Sequence, residues 1–143
     1  MQAEAAADQL RTVPFTHVYA SELPRARQTA EILLRHHDLE LRIDARLNER
    51  HTGMDGMPVH TFNDFIRADP VHTKTERGES FLEMMERLRS FLNEIAFQHP
   101  DGIVLATSHE HPILAVKALS GMNPEQAARR NIANCEWVKI VWT

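Results

Sequence analysis

Cysteine is nearly missing from this chain: Cys135 is the one thiol among 143 residues. A lone cysteine excludes an internal disulfide framework, leaves stability to the core, and suits a reducing cytoplasm. It has no His or Asp close by in sequence, so it makes a poor nucleophile. Long apolar runs are missing too. None approaches the roughly 18 residues needed to cross a bilayer, and no leader pattern is present, which argues against a membrane partner. Cations are not in excess: 16 Lys and Arg stand against 20 Asp and Glu, a net charge of −4. A nucleic-acid surface needs the opposite balance. Repeats and low-complexity tracts are also absent. The remainder, 43% hydrophobic and 25% charged, is the composition of a single globular domain over 1–143 with one core.

What is present alternates between two periodicities. Gln2–Thr12 is helix-forming but has no N-cap in front of it. Thr16–Ala20 reads as a strand. Leu23–His36 reads as a helix with Ala26, Ala30, Leu33 and Leu34 on one face. Leu39–Ile43 alternates as a second short strand. Residues 44–77 are irregular and polar, with a short helix over Val59–Ala68. Glu79–Gln98 is the longest helix, capped near Ser80, with Phe81, Leu82, Met85, Leu88, Leu92 and Ile95 as its apolar stripe. Gly102–Thr107 is continuously apolar, as in a strand covered on both faces. Helices over Pro112–Gly121 and Asn123–Asn131 follow, then a closing strand over Glu136–Trp142. Strands separated by helices imply an α/β, three-layer domain with a largely parallel sheet and helices on both faces.

In such sheets ligands bind beyond the carboxyl ends of the strands. The first strand runs into Ser21, a natural N-cap, then Pro24 and Arg25. Arg25 then lies near a helix N-terminus, where free N–H groups already favour an anion. On local physics alone it is equally a solvated arginine. The apolar strand 102–107 leads to Ser108 and His109 at the same edge, and Glu49 lies in the loop after the second strand. A cation, an imidazole and a carboxylate at one edge suit phosphoryl transfer. His109 and His111 could offer a metal two ligands at most, so no metal is assigned. Met54, Met57, Met84 and Met85 read as packing. Arg50 and His51 could assist substrate binding but read more readily as surface residues, and Glu49 is alternatively a loop carboxylate paired with Arg46 or Arg50.

Four blocks in order carry a family likeness. Ser21-Glu-Leu-Pro-Arg25-Ala-Arg-Gln-Thr-Ala30, Leu47-Asn-Glu49-Arg-His-Thr-Gly53-Met-Asp-Gly56, Gly78-Glu-Ser80 and Ser108-His109 resemble segments of the histidine phosphatase (phosphoglycerate mutase-like) superfamily. The resemblance implies a phosphoglycerate mutase-like fold. It implies His109 as the second catalytic histidine, Glu49 as the acid, and Arg25 with Ser21 and His109 as the phosphate grip, with no cofactor. Glu110 and His111 stand where many members carry small residues, and would crowd that pocket.

The family's Arg-His-Gly, which carries the nucleophilic histidine, does not occur in this sequence. The fold is therefore expected to be N-terminally incomplete. The family likeness further suggests that the missing strand leaves a gap between 16–20 and 102–107. Either those strands close up, or, as favoured here, a second copy fills the gap as a homodimer. Two functions stay open. One is a cytoplasmic phosphatase, acting through a phosphohistidine intermediate on a phosphorylated small molecule or a phosphohistidine protein, with inorganic phosphate as product. The other is a phosphate-binding or interaction module without its nucleophile. Mutase-type phosphotransfer is a variant of the first, and the short loop after Gly56 favours the phosphatase.

Overall fold

The computed structural model describes residues 2–130 and 136–143. Three strands, β1 (His17–Ala20), β2 (Leu41–Ile43) and β3 (Val104–Thr107), form one parallel sheet in the order β2-β1-β3. The helices are α1 (Gln2–Leu10), α2 (Pro24–Leu33), α3 (Val59–Ile66), α4 (Phe81–Gln98), α5 (Glu110–Leu119) and α6 (Pro124–Ala128). Short 3₁₀ turns follow α2 and β2. The larger core joins Tyr19 and Leu47 to Phe81, Met84, Leu88, Phe91 and Leu114 from α4 and α5. A smaller cluster of Ala6, Ala7, Leu10 and Leu33 packs with Leu105. Neighbouring residues of β3, Val104 and Leu105, thus serve opposite clusters, as the two-residue period of a strand requires. Helices lie on both faces, and the α/β three-layer reading holds.

Of the two courses open to the first and third strands, the structure shows them closed up and directly paired, without the gap for which a second copy was favoured. His17 pairs with Val104, Val18 with Leu105, Tyr19 with Ala106 and Ala20 with Thr107. The central strand is β1, whose Val18 and Ala20 are fully buried. The flanking loops extend this pairing, with Thr16 N–H bonding Ile103 O at 2.8 Å and Ser21 N–H bonding Thr107 O at 3.2 Å. The continuous apolar run of 103–106 suggests two-sided burial, yet β3 is an edge strand and Ala106 is exposed.

Several other elements differ from the sequence reading, each for a local reason. The segment 136–142 alternates like a strand but forms no strand among the described residues. It is tied instead by side chains: Trp137 Nε1 donates to Gln9 of α1 and Trp142 Nε1 to Asn93 of α4. On α4, Met84 and Phe91 are buried, while Leu82 is exposed. Its start is a capping box in which Ser80 and Glu83 exchange side-chain and backbone bonds. Met84 and Met85 pack as expected, but Met57 is 58% exposed. Cys135 and Asn131 fall outside the described residues.

Candidate active site

Three chain segments leave the carboxyl ends of the strands, and side-chain hydrogen bonds lock them together. Ser21, just past β1, lies 2.8 Å through its hydroxyl from His109 Nε2, and both residues are buried. Ser21 is therefore not the helix cap. Pro24 occupies the first turn of α2 and moves the cap to Leu23, whose N–H donates to Ser21 Oγ at 3.2 Å. His109 is the cap residue of α5. Ser108 Oγ donates to Leu47 O at 2.5 Å. Asn48 closes the third side, taking Glu22 N–H and donating to the Glu22 carboxylate, both at 2.8 Å. Loops from 21, 47 and 108 therefore meet at one sheet edge.

Electrostatics ties Glu49 and Arg25 to the same point. Burial lowers the pKa of His109 below the usual histidine value. The Glu49 carboxylate opposes that shift, and the Arg25 and Arg87 cations add to it. His109 is thus held as a neutral imidazole at neutral pH, able to donate one hydrogen bond without carrying charge. Arg25 itself is exposed on the first turn of α2, as a cation meeting a soluble anion should be. Glu49 is half-buried, and its Oε1 accepts the Arg50 N–H at 2.8 Å. Arg46 does not pair with Glu49, and bonds Asp44 and Glu94 instead. All four expected residues, Ser21, Arg25, Glu49 and His109, are thus brought to one sheet edge.

Two arginines were misjudged or missed in the sequence. Arg50, read as a surface residue, is only 5% exposed and lies over Phe62 and Phe81. Arg87, on α4, holds the loop that carries Glu49. Its guanidinium donates to Arg46 O at 2.7 Å and Asn48 O at 2.9 Å, and pairs with Glu79 at 2.5 Å. Glu79 in turn accepts the His51 N–H, and its own N–H donates to His51 O. This close approach explains the glycine at 78. A Cβ there would stand 2.6 Å from Thr52 O and 2.8 Å from His51 O, so no side chain fits. Beside these loops runs a groove of about 620 Å³, whose walls include Leu23, Asn48, Glu49, Arg50, His51 and Arg77.

The pH dependence of stability follows from these burials. His109, His111 and His17 all have folded pKa values below 6.5, with burial as the leading cause. The unfolded chain takes up their protons first, so stability falls as pH drops through about 6.5 toward the lowered folded values. Melting temperature should therefore rise from pH 5 to pH 7, and a double His109→Asn, His111→Asn variant should flatten that rise. An unchanged slope in the variant would contradict the assignment.

The parallel α/β sheet thus carries an imidazole, a carboxylate and an arginine toward its carboxyl edge. The family model of the histidine phosphatase superfamily (branch 1) matches residues 1–143, and the chain belongs to that family. Over 115 residues it is 38% identical to the Danio rerio protein named Probable fructose-2,6-bisphosphatase TIGAR A, covering 71% of this chain and 44% of that one. Over 148 aligned positions it is 26% identical to the Erwinia tasmaniensis protein named Probable phosphoglycerate mutase GpmB, covering 97% and 69%. The chain thus spans less than half of the first relative's length. Among solved structures, mycobacterial glucosyl-3-phosphoglycerate phosphatase in complex with VO3 superposes with a TM-score of 0.81 at 26% identity, covering 94% of this chain and 72% of that one. The Shigella flexneri alpha-ribazole phosphatase gives 0.76 at 26% identity, covering 92% and 70%.

Proposed function

We propose that this chain binds the phosphoryl group of a phosphorylated small molecule in a phosphatase-type site beyond the carboxyl ends of β1 and β3. The 2.8 Å contact between Ser21 and His109 carries the reading, because it joins the two strand ends at a point that the charges of Arg25 and Glu49 both reach. Arg25 supplies the positive charge for the phosphoryl oxygens. His109, neutral and buried, donates a hydrogen bond to one of them, and the N-terminus of α5 adds its dipole. Glu49 is the acid that would protonate a leaving oxygen if an attacking group displaced it from phosphorus. The names of the relatives, a bisphosphatase, a mutase and sugar- or riboside-phosphate phosphatases, support a small phosphorylated metabolite, as does a groove of about 620 Å³. Turnover needs an attacking group. The absence of an Arg-His-Gly tripeptide from this sequence favours phosphate binding without hydrolysis by the 143-residue polypeptide itself.

Binding is tested by melting temperature. Inorganic phosphate or vanadate at millimolar concentration should raise it by a few degrees, as mass action requires of a ligand that binds only the folded state. Arg25→Ala should remove most of that gain while leaving the melt without anion unchanged, since Arg25 is exposed. An anion shift that survives Arg25→Ala would put the phosphate elsewhere.

A further inference from the structure

The sheet has two edges, and only one of them is defended. β2 carries Arg42 within it and Glu40 just before it, charges of the kind that keep an edge strand from recruiting another chain. β3 carries neither charge nor proline, and 103–107 is apolar but for Thr107. Alternate residues of a strand turn their backbone groups to opposite neighbours. Ile103 O and Thr107 O are taken from the β1 side, by the N–H groups of Thr16 and Ser21. Val104 and Ala106 therefore present N–H and C=O outward. Ala106 is exposed, and among the described residues no strand lies beyond it.

A strand-like segment with free backbone stands beside this edge. Residues 137–142, Trp-Val-Lys-Ile-Val-Trp, are β-branched or aromatic at every position except Lys139. Their burial alternates as in a strand, with Val138, Ile140 and Trp142 half-buried and Trp137, Lys139 and Val141 exposed. Among the described residues they make no backbone hydrogen bond. Trp137 bonds α1, which packs with Leu105 on one face of the sheet. Trp142 bonds α4, which packs with Val104 on the other. The segment thus runs from one face to the other, and each copy of the chain carries both an open edge and a strand without a ladder.

We propose that two copies of this chain exchange these elements: residues 137–141 of each add to the outer edge of β3 in the other. The exchange is reciprocal and two-fold, so it closes as a dimer rather than growing as a fibre. Lys139 then lies on the new edge strand, where a charge blocks further addition. The exposed apolar surface is of the size required. Phe97, one turn beyond Asn93 on α4, is 87% exposed, Val141 84%, Trp137 49% and Ile103, next to β3, 43%. A specific dimer buries about 1,200–2,000 Å² in all. At about 150–250 Å² for a buried aromatic ring, Trp137 and Phe97 of two copies account for about half of the lower figure. The aliphatic side chains and the strand backbones supply the rest. None of these residues belongs to the phosphate grip, so the association stands or falls independently of it.

Light scattering on the full chain at about 50 μM tests this, since association follows mass action. The unaltered chain should have the mass of a dimer. Ala106→Pro removes an outward N–H and leaves the β1 ladder intact, so it should give a folded monomer. Lys139→Pro, in the middle of the donated segment, should do the same. An equal mixture of the two variants should recover dimer, because one intact edge and one intact segment remain between them. Backbone amide exchange supplies a second measurement on the unaltered chain. The Ala106 amide should exchange at least about tenfold faster after dilution from about 100 μM to about 1 μM. Should Ala106→Pro fail to fold, that exchange and Lys139→Pro decide. A monomeric unaltered chain would overturn the inference, and so would an Ala106 amide whose exchange ignores dilution. A dimer that persists in Lys139→Pro would overturn it in favour of β3 pairing with its own copy. A dimer that persists in Ala106→Pro would place the interface elsewhere, and a mixture that stays monomeric would rule out the exchange.

Discussion

Turnover of p-nitrophenyl phosphate by the 143-residue polypeptide, at mildly acidic pH, should lie about four to six orders of magnitude below that of a histidine phosphatase with its nucleophile. Binding and charge stabilisation survive in Arg25, His109 and Glu49, but covalent transfer needs an unprotonated imidazole aimed at phosphorus. His109 is not available for that, because its Nε2 faces Ser21 Oγ at 2.8 Å on a buried strand end. No Arg-His-Gly offers another. Steady-state kinetics settles the matter. A turnover near one per second would overturn the binding-only reading of this polypeptide, and its loss in His109→Ala would show that His109 is needed for the attack after all.

Replacement of Arg87 by Met should produce the largest loss of stability of any single change around the site. The guanidinium satisfies two carbonyls and the Glu79 carboxylate, and the two side chains are 15% and 13% exposed. Removing one partner of such a pair strands the other charge and typically costs about 3–5 kcal/mol. Against a total of about 5–15 kcal/mol, that should lower the melting temperature by more than about 10 °C. Glu49 hangs from the loop that Arg87 pins, so phosphate stabilisation should disappear as well. A fall of less than about 3 °C would mean that the loop is held by its other bonds, namely Asn48 to Glu22 and Ser108 to Leu47.

Local signals marked the elements that position the site well. Continuous apolarity gave 104–107, helical spacing gave α2 and α4, and Ser80 with Glu83 gave the start of α4. Ser21, Arg25, Glu49 and His109 could be placed at one edge because strand ends in a parallel sheet share a direction. Long-range partnership was not legible. Arg50 and Arg87 look like surface arginines until Phe62, Glu79 and the carbonyls of 46 and 48 are folded around them, and nothing in their neighbouring sequence announces that. The same holds for 136–142, whose alternation is a local property while strand pairing depends on a distant partner. Ser21 looked like a helix cap on residue type. It is drawn off by His109, 88 residues away. Of the two courses left open for strands 16–20 and 102–107, the direct pairing of β1 with β3 was the less favoured one, because nothing local in either strand names its neighbour.

The most direct test of the phosphate site uses the imidazole nitrogens. The chain has nine histidines, and 15N-histidine labelling with a His109→Gln spectrum for assignment reports each of them during titration with inorganic phosphate. The His109 resonance should shift saturably, with the His17 and His99 signals, from stacked rings at the opposite end of β1, standing still. Saturable shifts confined to His17 and His99, with His109 unmoved, would contradict the site.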